Sequence, residues 1–141
     1  VNLKMAEFEL EVLQPERVFF KDKVEMIVLR TIDGEIGIMA NHQPIVVPIG
    51  IGKLRIKKDG KWREAAIAGG LLEVKNNKAT ILSDAVEWPE EIDRQRALLA
   101  KERAEKRLEQ KLPPDEFERY KAALYRALNR LKLAEENKKE I

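Results

Sequence analysis

The chain has no cysteine and one histidine among its 141 residues. Without cysteine there is no disulfide framework, no thiolate nucleophile and no cysteine-ligated zinc, so the chain suits a reducing compartment, with the cytoplasm as the default. One histidine, His42, cannot make a metal site or a catalytic triad alone, and no serine or carboxylate stands at a spacing that would orient it. It reads as a loop-ordering or interface residue. No apolar run approaches the roughly 18 to 20 residues that span a bilayer, and Val1 to Glu11 has neither a signal-type apolar core nor a small-residue cleavage site. The chain therefore reads as soluble and not exported. Phosphate-cradling glycine loops are also missing: Gly52-Lys53 and Gly60-Lys61 continue with Leu54 and Trp62, and no Gly-x-Gly-x-x-Gly opens a helix. Nucleotide hydrolysis by this chain alone is not expected. Nor does one sign of charge dominate. There are 13 basic and 13 acidic residues before Trp88 and 14 and 12 from there on, interleaved, whereas nucleic-acid binding by counterion release needs a clustered basic face.

What is present divides at one short stretch, Glu87-Trp88-Pro89-Glu90-Glu91-Ile92-Asp93-Arg94-Gln95-Arg96-Ala97. Before it, apolar residues alternate with Glu7, Glu9 and Glu11 from Phe8 to Val12, the period of a strand with one buried face. Short runs follow at Val18 to Phe20, Val24 to Thr31, Glu35 to Ile38, Ile45 to Val47, Lys53 to Ile56, Trp62 to Ala68, Leu71 to Val74 and Ala79 to Leu82. Asp33-Gly34, Asp59-Gly60 and Asn76-Asn77 supply the turn chemistry of tight hairpins, while Pro44 and Pro48 break the ladder. Such punctuation predicts a β-sandwich or flattened barrel. Gly69-Gly70 joins two of its strands where a sharp bend or the close approach of another backbone is permitted.

After that stretch the period becomes helical. Pro89 suits a first helical position and Glu90, Glu91 and Asp93 suit the positive end of a helix dipole, so a helix is predicted from there to about Lys111. Leu112-Pro113-Pro114 stops it. Asp115 and Glu118 have capping-box spacing for a second helix to about Glu136, with Phe117, Tyr120, Leu124, Leu128 and Leu131 as its apolar stripe. Against that stripe stand Ala97, Ala100 and Ala104, flanked by Leu99 and Leu108. So short a turn predicts an antiparallel hairpin. An alanine face buries little area, and strong helix formers dominate both arms, so the pair is expected to open with each arm still helical. Arg96 and Arg103 share one face with Asp93 at its N-terminal end, and Arg126 and Arg130 lie four apart on the second helix. Guanidinium groups match phosphate oxygens, and a carboxylate accepts from an amino or hydroxyl group, so this set suits a nucleotide. The plainer alternative is helix-surface ion pairing such as Glu102 to Lys106.

Four motifs in order, Gly34-Glu35-Ile36-Gly37-Ile38 with His42-x-Pro44, Gly69-Gly70-Leu71-Leu72-Glu73-Val74, Ile92-Asp93-x-x-Arg96-Ala97 and Arg126-Ala127-Leu128-Asn129-Arg130-Leu131, make the chain resemble the epsilon subunit of bacterial F-type ATP synthase, in its Bacillus-like form, over nearly all of its length after Lys4. The resemblance implies an α+β fold, a ten-stranded β-sandwich over residues 5–86 followed by a two-helix hairpin over 87–141. It implies a non-catalytic rotor subunit at the cytoplasmic face of the bacterial plasma membrane, peripheral to it. The sandwich would hold the gamma subunit, and Glu35, Gly37, His42 and Pro44 would lie toward gamma and the ring of c subunits. The helices would either fold against the sandwich or extend along gamma to meet the beta and alpha subunits and block ATP hydrolysis. Carried over by position, Ile92, Asp93, Arg96 and Ala97 would form the base side of an ATP site. Glu87, Arg103, Arg126 and Arg130 would complete it and hold the phosphates, with ATP as a regulatory ligand that stabilises the folded arm. Trp88-Pro89 and Leu112-Pro113-Pro114 depart from the family pattern. Val1 to Lys4 precede Met5, the usual start, and read as an upstream start or added residues. The competing reading is a free-standing ATP-sensing helical adaptor outside any rotary motor. A third, an RNA-binding hairpin, is opposed by the balanced charge.

Overall fold

Alternation along each apolar run builds strands whose inward residues form one core. In the computed structural model, which describes residues 5–139, these are β1 (Phe8–Leu13), β2 (Val18–Val24), β3 (Met26–Thr31), β4 (Gly34–Met39), β5 (Ile45–Pro48), β6 (Ile51–Lys58), β7 (Lys61–Ala68), β8 (Leu71–Lys75), β9 (Lys78–Leu82) and β10 (Val86–Glu87). They form two five-stranded sheets, ordered β2-β1-β9-β8-β5 and β10-β7-β6-β3-β4. Between the sheets lie Leu10, Val12, Ile27, Leu29, Ile38, Leu54, Ile56, Ile67, Leu72 and Ile81, all essentially without solvent contact. The sandwich predicted from turn spacing is present. Val18 to Phe20 is extended, however: β2 runs on through Lys21-Asp22-Lys23 to pair with β1, and Glu25 makes the corner to β3. Sequence alternation hides this because β2 is an edge strand, where charged residues also block pairing with another chain. There Asp22 of β2 and Lys58 of β6 join the two sheets by an ion pair.

Turn chemistry acts as expected at two hairpins. Asp59 and Gly60 both hold positive φ between β6 and β7, as do Asn76 and Asn77 between β8 and β9. At Gly70 the close approach is literal: its φ is +124°, and an added Cβ would sit 2.2 Å from the Leu82 carbonyl oxygen. Buried Ser83 completes the corner. Its Oγ donates to the Gly69 carbonyl at 2.8 Å and accepts from the Ala85 amide at 3.2 Å.

The chain divides into two compact units between Val86 and Glu87. In the second, the predicted helix start needs correction. Pro89–Glu91 is a single 3-10 turn, Ile92 and Asp93 are extended, and α1 is Arg94–Leu108. Pro89 opens a turn as its fixed φ allows, but the Asp93 side chain accepts from the Arg96 amide at 3.0 Å and so starts the true helix at Arg94, five residues later. The end moves too, from Lys111 to Leu108. The second helix, α2 (Pro114–Lys139), begins with Pro114 in its first turn and Phe117 N–H on the Pro113 carbonyl, so Asp115 lies within the helix and does not cap it. Ordered antiparallel by Arg94 to Glu135 (3.1 Å) at one end and Arg107 over the Tyr120 ring at the other, the helices bury Ala97, Ala104, Ala127 and Leu133. The predicted stripe is therefore displaced: Phe117 and Leu128 are exposed, because Ala127 holds the centre of the contact and lets the backbones approach. Among the described residues no helix is long and apolar enough to cross a membrane.

Candidate functional site

Three surfaces emerge, one on the helical unit and two on the sandwich. On the hairpin, Arg94, Leu98 and Lys101 of α1 face Leu131, Lys132 and Glu135 of α2 across a groove of about 650 Å³. None of the eight residues assigned to a nucleotide lines it. At 3.6 residues per turn, Arg96 and Arg103 lie roughly half a turn from that groove, as does Arg126 counted from Leu131 and Glu135, while Arg130 lies about a third of a turn round. All four arginines thus share the opposite flank. The hairpin register sets Arg103 level with Arg126 and Arg96 within a turn of Arg130.

These arginines are not equivalent. Arg96, Arg103 and Arg126 are exposed and carry no ion pair among the described residues. Arg130 instead pairs with Glu87: Nη2 donates to Oε2 at 3.2 Å, while Nε stands 2.7 Å from Oε1 as an ion contact without a hydrogen bond. Both ends of that pair are half-buried, and the 3-10 turn after Glu87 packs on α2. Asp93 is exposed and spends one oxygen, Oδ1, on capping α1. Ile92 is half-buried beside it, while Ala97 is wholly buried in the hairpin seam and so shapes the flank from beneath. Among the described residues, the ion pair along α1 is Lys101 to Glu105 at 3.5 Å and not Glu102 to Lys106.

On the sandwich, Glu35 and Gly37 are exposed on β4, with Gly37 against Met26, where an added Cβ would meet the Met26 Cε at 2.9 Å. The loop after β4 is ordered from two sides. His42 Nδ1 donates to the Gln43 carbonyl at 2.7 Å, and the Asn41 amide, at positive φ, donates to the Asn77 Oδ1 at 2.8 Å. Asn77 Nδ2 in turn donates to the Glu7 carbonyl at 3.1 Å. In the sequence Asn77 shows only as a turn residue, since a bond between residues 36 apart leaves no periodic signal. Pro44 is exposed just before β5.

A second surface was also missed. Val18, Leu13, Leu82, Leu71 and Pro48 stand side by side on five successive strands, one cross-strand rung on the outer face of the β2-β1-β9-β8-β5 sheet. Val18 is 59% and Leu82 49% exposed, and a groove of about 570 Å³ adjoins them along Leu13, Gln14, Pro15, Gly69 and Ser83. A contiguous apolar row of this kind marks an interaction face, and only strand register reveals it.

Family models for the ATP synthase Delta/Epsilon chain match almost the whole chain, the beta-sandwich domain over residues 7–89 and the long alpha-helix domain over residues 90–135. The chain belongs to this ATP synthase delta/epsilon family. It is 97% identical over 137 residues to the ATP synthase epsilon chain of Caldicellulosiruptor bescii, covering 97% of this chain and 100% of that one. It is 84% identical over 134 residues to the epsilon chain of Caldicellulosiruptor saccharolyticus, covering 95% and 98%. Among solved structures it is similar in fold to a chain of the Euglena gracilis mitochondrial ATP synthase (OSCP/F1/c-ring, rotational state 1), with a TM-score of 0.72 and 24% identity over 86% of this chain and 78% of that one. Membership makes the chain a regulatory or structural subunit of ATP synthase, not a catalytic one.

Proposed function

We propose that this chain is a central-stalk rotor subunit that couples gamma to the c ring and restrains ATP hydrolysis through its helical arm, with ATP stabilising the folded arm. The observation that carries the regulatory part is the flank shared by Arg96, Arg103, Arg126 and Arg130, with exposed Asp93 capping α1 at its end. Three uncompensated guanidinium groups repel one another, and a triphosphate relieves that repulsion while bridging the two helices. Base recognition falls to Ile92 and Asp93, where an amino or hydroxyl donor meets the carboxylate. At about ten times its dissociation constant, ATP would favour the folded hairpin by roughly 1.4 kcal/mol if the open form does not bind. That shifts an arm near balance about tenfold.

Coupling rests on the sandwich. The rung of Val18, Leu13, Leu82, Leu71 and Pro48 suits an apolar face of gamma, and the loop tied down by Asn77 presents His42 and Pro44 toward the c ring. In the open state, the basic residues of α2 suit acidic segments of the beta and alpha subunits, at the cytoplasmic face of the membrane. The test is hydrolysis by the reassembled catalytic head with the full chain and with the chain cut after Val86. Faster hydrolysis with the cut chain is expected, and an equal rate refutes the inhibitory role. A Leu82→Lys variant that keeps gamma as well as the native chain does would refute the docking face.

A further inference from the structure

The outer face of the β10-β7-β6-β3-β4 sheet carries a patch that the roles above leave unused. Strand register places Met39 of β4, Met26 of β3, Lys57 of β6 and Trp62 of β7 on one cross-strand rung. Alternation turns all four away from the core: Trp62 is 41% and Met39 48% exposed, while Met26 and Lys57 are half-buried. Met5 joins them with its Sδ 3.6 Å from the Lys57 ammonium, so all three methionines of the chain gather at one place. The patch is braced from within its own sheet. Arg55, two residues before Lys57 on the same face, stacks over the Trp62 ring at 4.6 Å, and the Met26 methyl lies over Gly37, which has no side chain to displace it.

Its cations are not equally satisfied. Lys53 and Arg55 share Glu64, at 3.5 and 3.6 Å. Lys57 has no carboxylate among the described residues, and its partners are the Met5 sulfur and the Trp62 ring at 5.8 Å. A half-buried ammonium between a thioether and an aromatic face has lost part of its water without gaining a counter-charge. We infer that this patch is a docking face for an acidic, apolar segment of another ATP synthase subunit, whose carboxylate pairs with Lys57 while its apolar side chains cover Trp62 and Met39. A basic segment is repelled by the three cations of β6, and a purely apolar one buries Lys57 unpaired. Trp and Arg beside adaptable thioethers are the residue types that concentrate binding energy at interfaces. The patch lies on the other sheet from the rung of Val18 to Pro48, so it takes a different segment from the one that rung accepts.

The experiment compares the free chain with the chain in the assembled ATP synthase, by hydroxyl-radical footprinting and by carbodiimide coupling of Lys57 to carboxylates, both read by mass spectrometry. Oxidation of Trp62 and Met39 is expected to fall roughly fivefold on assembly, as in the water-free core of an interface. Lys57 is expected to couple to an aspartate or glutamate of another subunit. Lys57→Glu should abolish the protection and Lys57→Gln should weaken it, with the free variants melting as the native chain does. Unchanged oxidation on assembly, or protection that survives both substitutions, overturns the inference. Coupling of Lys57 to a carboxylate of this chain's own helical unit, or of a second copy of this chain, identifies a different occupant and overturns it too. If either variant melts early, footprinting and coupling of the native chain decide alone.

Discussion

Replacing Asp93 by alanine removes two things at once, and the structure separates them. The carboxylate Oδ1 accepts the Arg96 amide at 3.0 Å, so the substitution leaves a first-turn donor of α1 without its cap. Loss of such a cap costs about 1 kcal/mol. Because α1 buries only Ala97 and Ala104, apolar burial on its own side offers little compensation, and the loss is expected to fall on the helical unit. The assay is amide exchange of residues 94–100 in the ligand-free full chain, where Asp93→Ala should lower protection about fivefold, since 1.36 kcal/mol corresponds to a factor of ten. Asp93→Ser keeps a capping oxygen and should leave protection nearly native. Nucleotide binding then has a cleaner probe. If Asp93→Ser keeps the helix but loses ATP, the carboxylate contacts the ligand. If Asp93→Ala and Asp93→Ser protect residues 94–100 equally well, capping is not what starts α1, and the reasoning is wrong.

Three further outcomes follow from the sandwich. The Lys58 ammonium, and then the Lys23 backbone N–H, hold the Asp22 carboxyl below its ordinary value, and the same pair holds Lys58 above its own. Because the folded Asp22 value is depressed, its stabilisation is present above the unfolded value of about 3.9 and is lost as pH falls through the folded one. For Lys58 the sign is reversed: stabilisation is present below about 10.4 and lost as pH rises through the folded value. Melting temperature against pH should therefore flatten at both extremes in Asp22→Asn, and an unchanged profile would show that the clamp between the sheets contributes nothing. Gly70→Ala should lower stability by at least about 2 kcal/mol in denaturant titration, combining backbone strain at positive φ with the Leu82 carbonyl contact, and a native midpoint would contradict the geometry. Asn77→Gly keeps the positive φ but removes both side-chain bonds, so exchange at the Asn41 amide should rise roughly fivefold, for a bond contributing about 1 kcal/mol, while the β8–β9 hairpin stays paired.

The local devices of this protein are written in the chain itself. Alternation from Phe8 to Val12, the Asp-Gly and Asn-Asn turns, the double glycine at Gly69-Gly70 and the prolines after Leu112 each act over a few residues, so a sequence that can adopt only one local geometry states it directly. The switch from period two to helical period near Glu87 is of the same kind, as is the placing of four arginines at helical spacings. What only the tertiary structure decided are the meetings of distant residues. The pair of Glu87 with Arg130, the bond from Asn77 to Asn41, and the ion pair of Asp22 with Lys58 depend on chain paths that no periodicity encodes. The start of α1 belongs with them. Pro89 and Asp93 were both acceptable helix openers, and the choice fell to Asp93 because its side chain reached the Arg96 amide while Ile92 and Asp93 themselves stayed extended. The apolar rung across five strands required the register of four strand pairings, set by hydrogen bonds between segments up to tens of residues apart, to turn five scattered side chains into one surface.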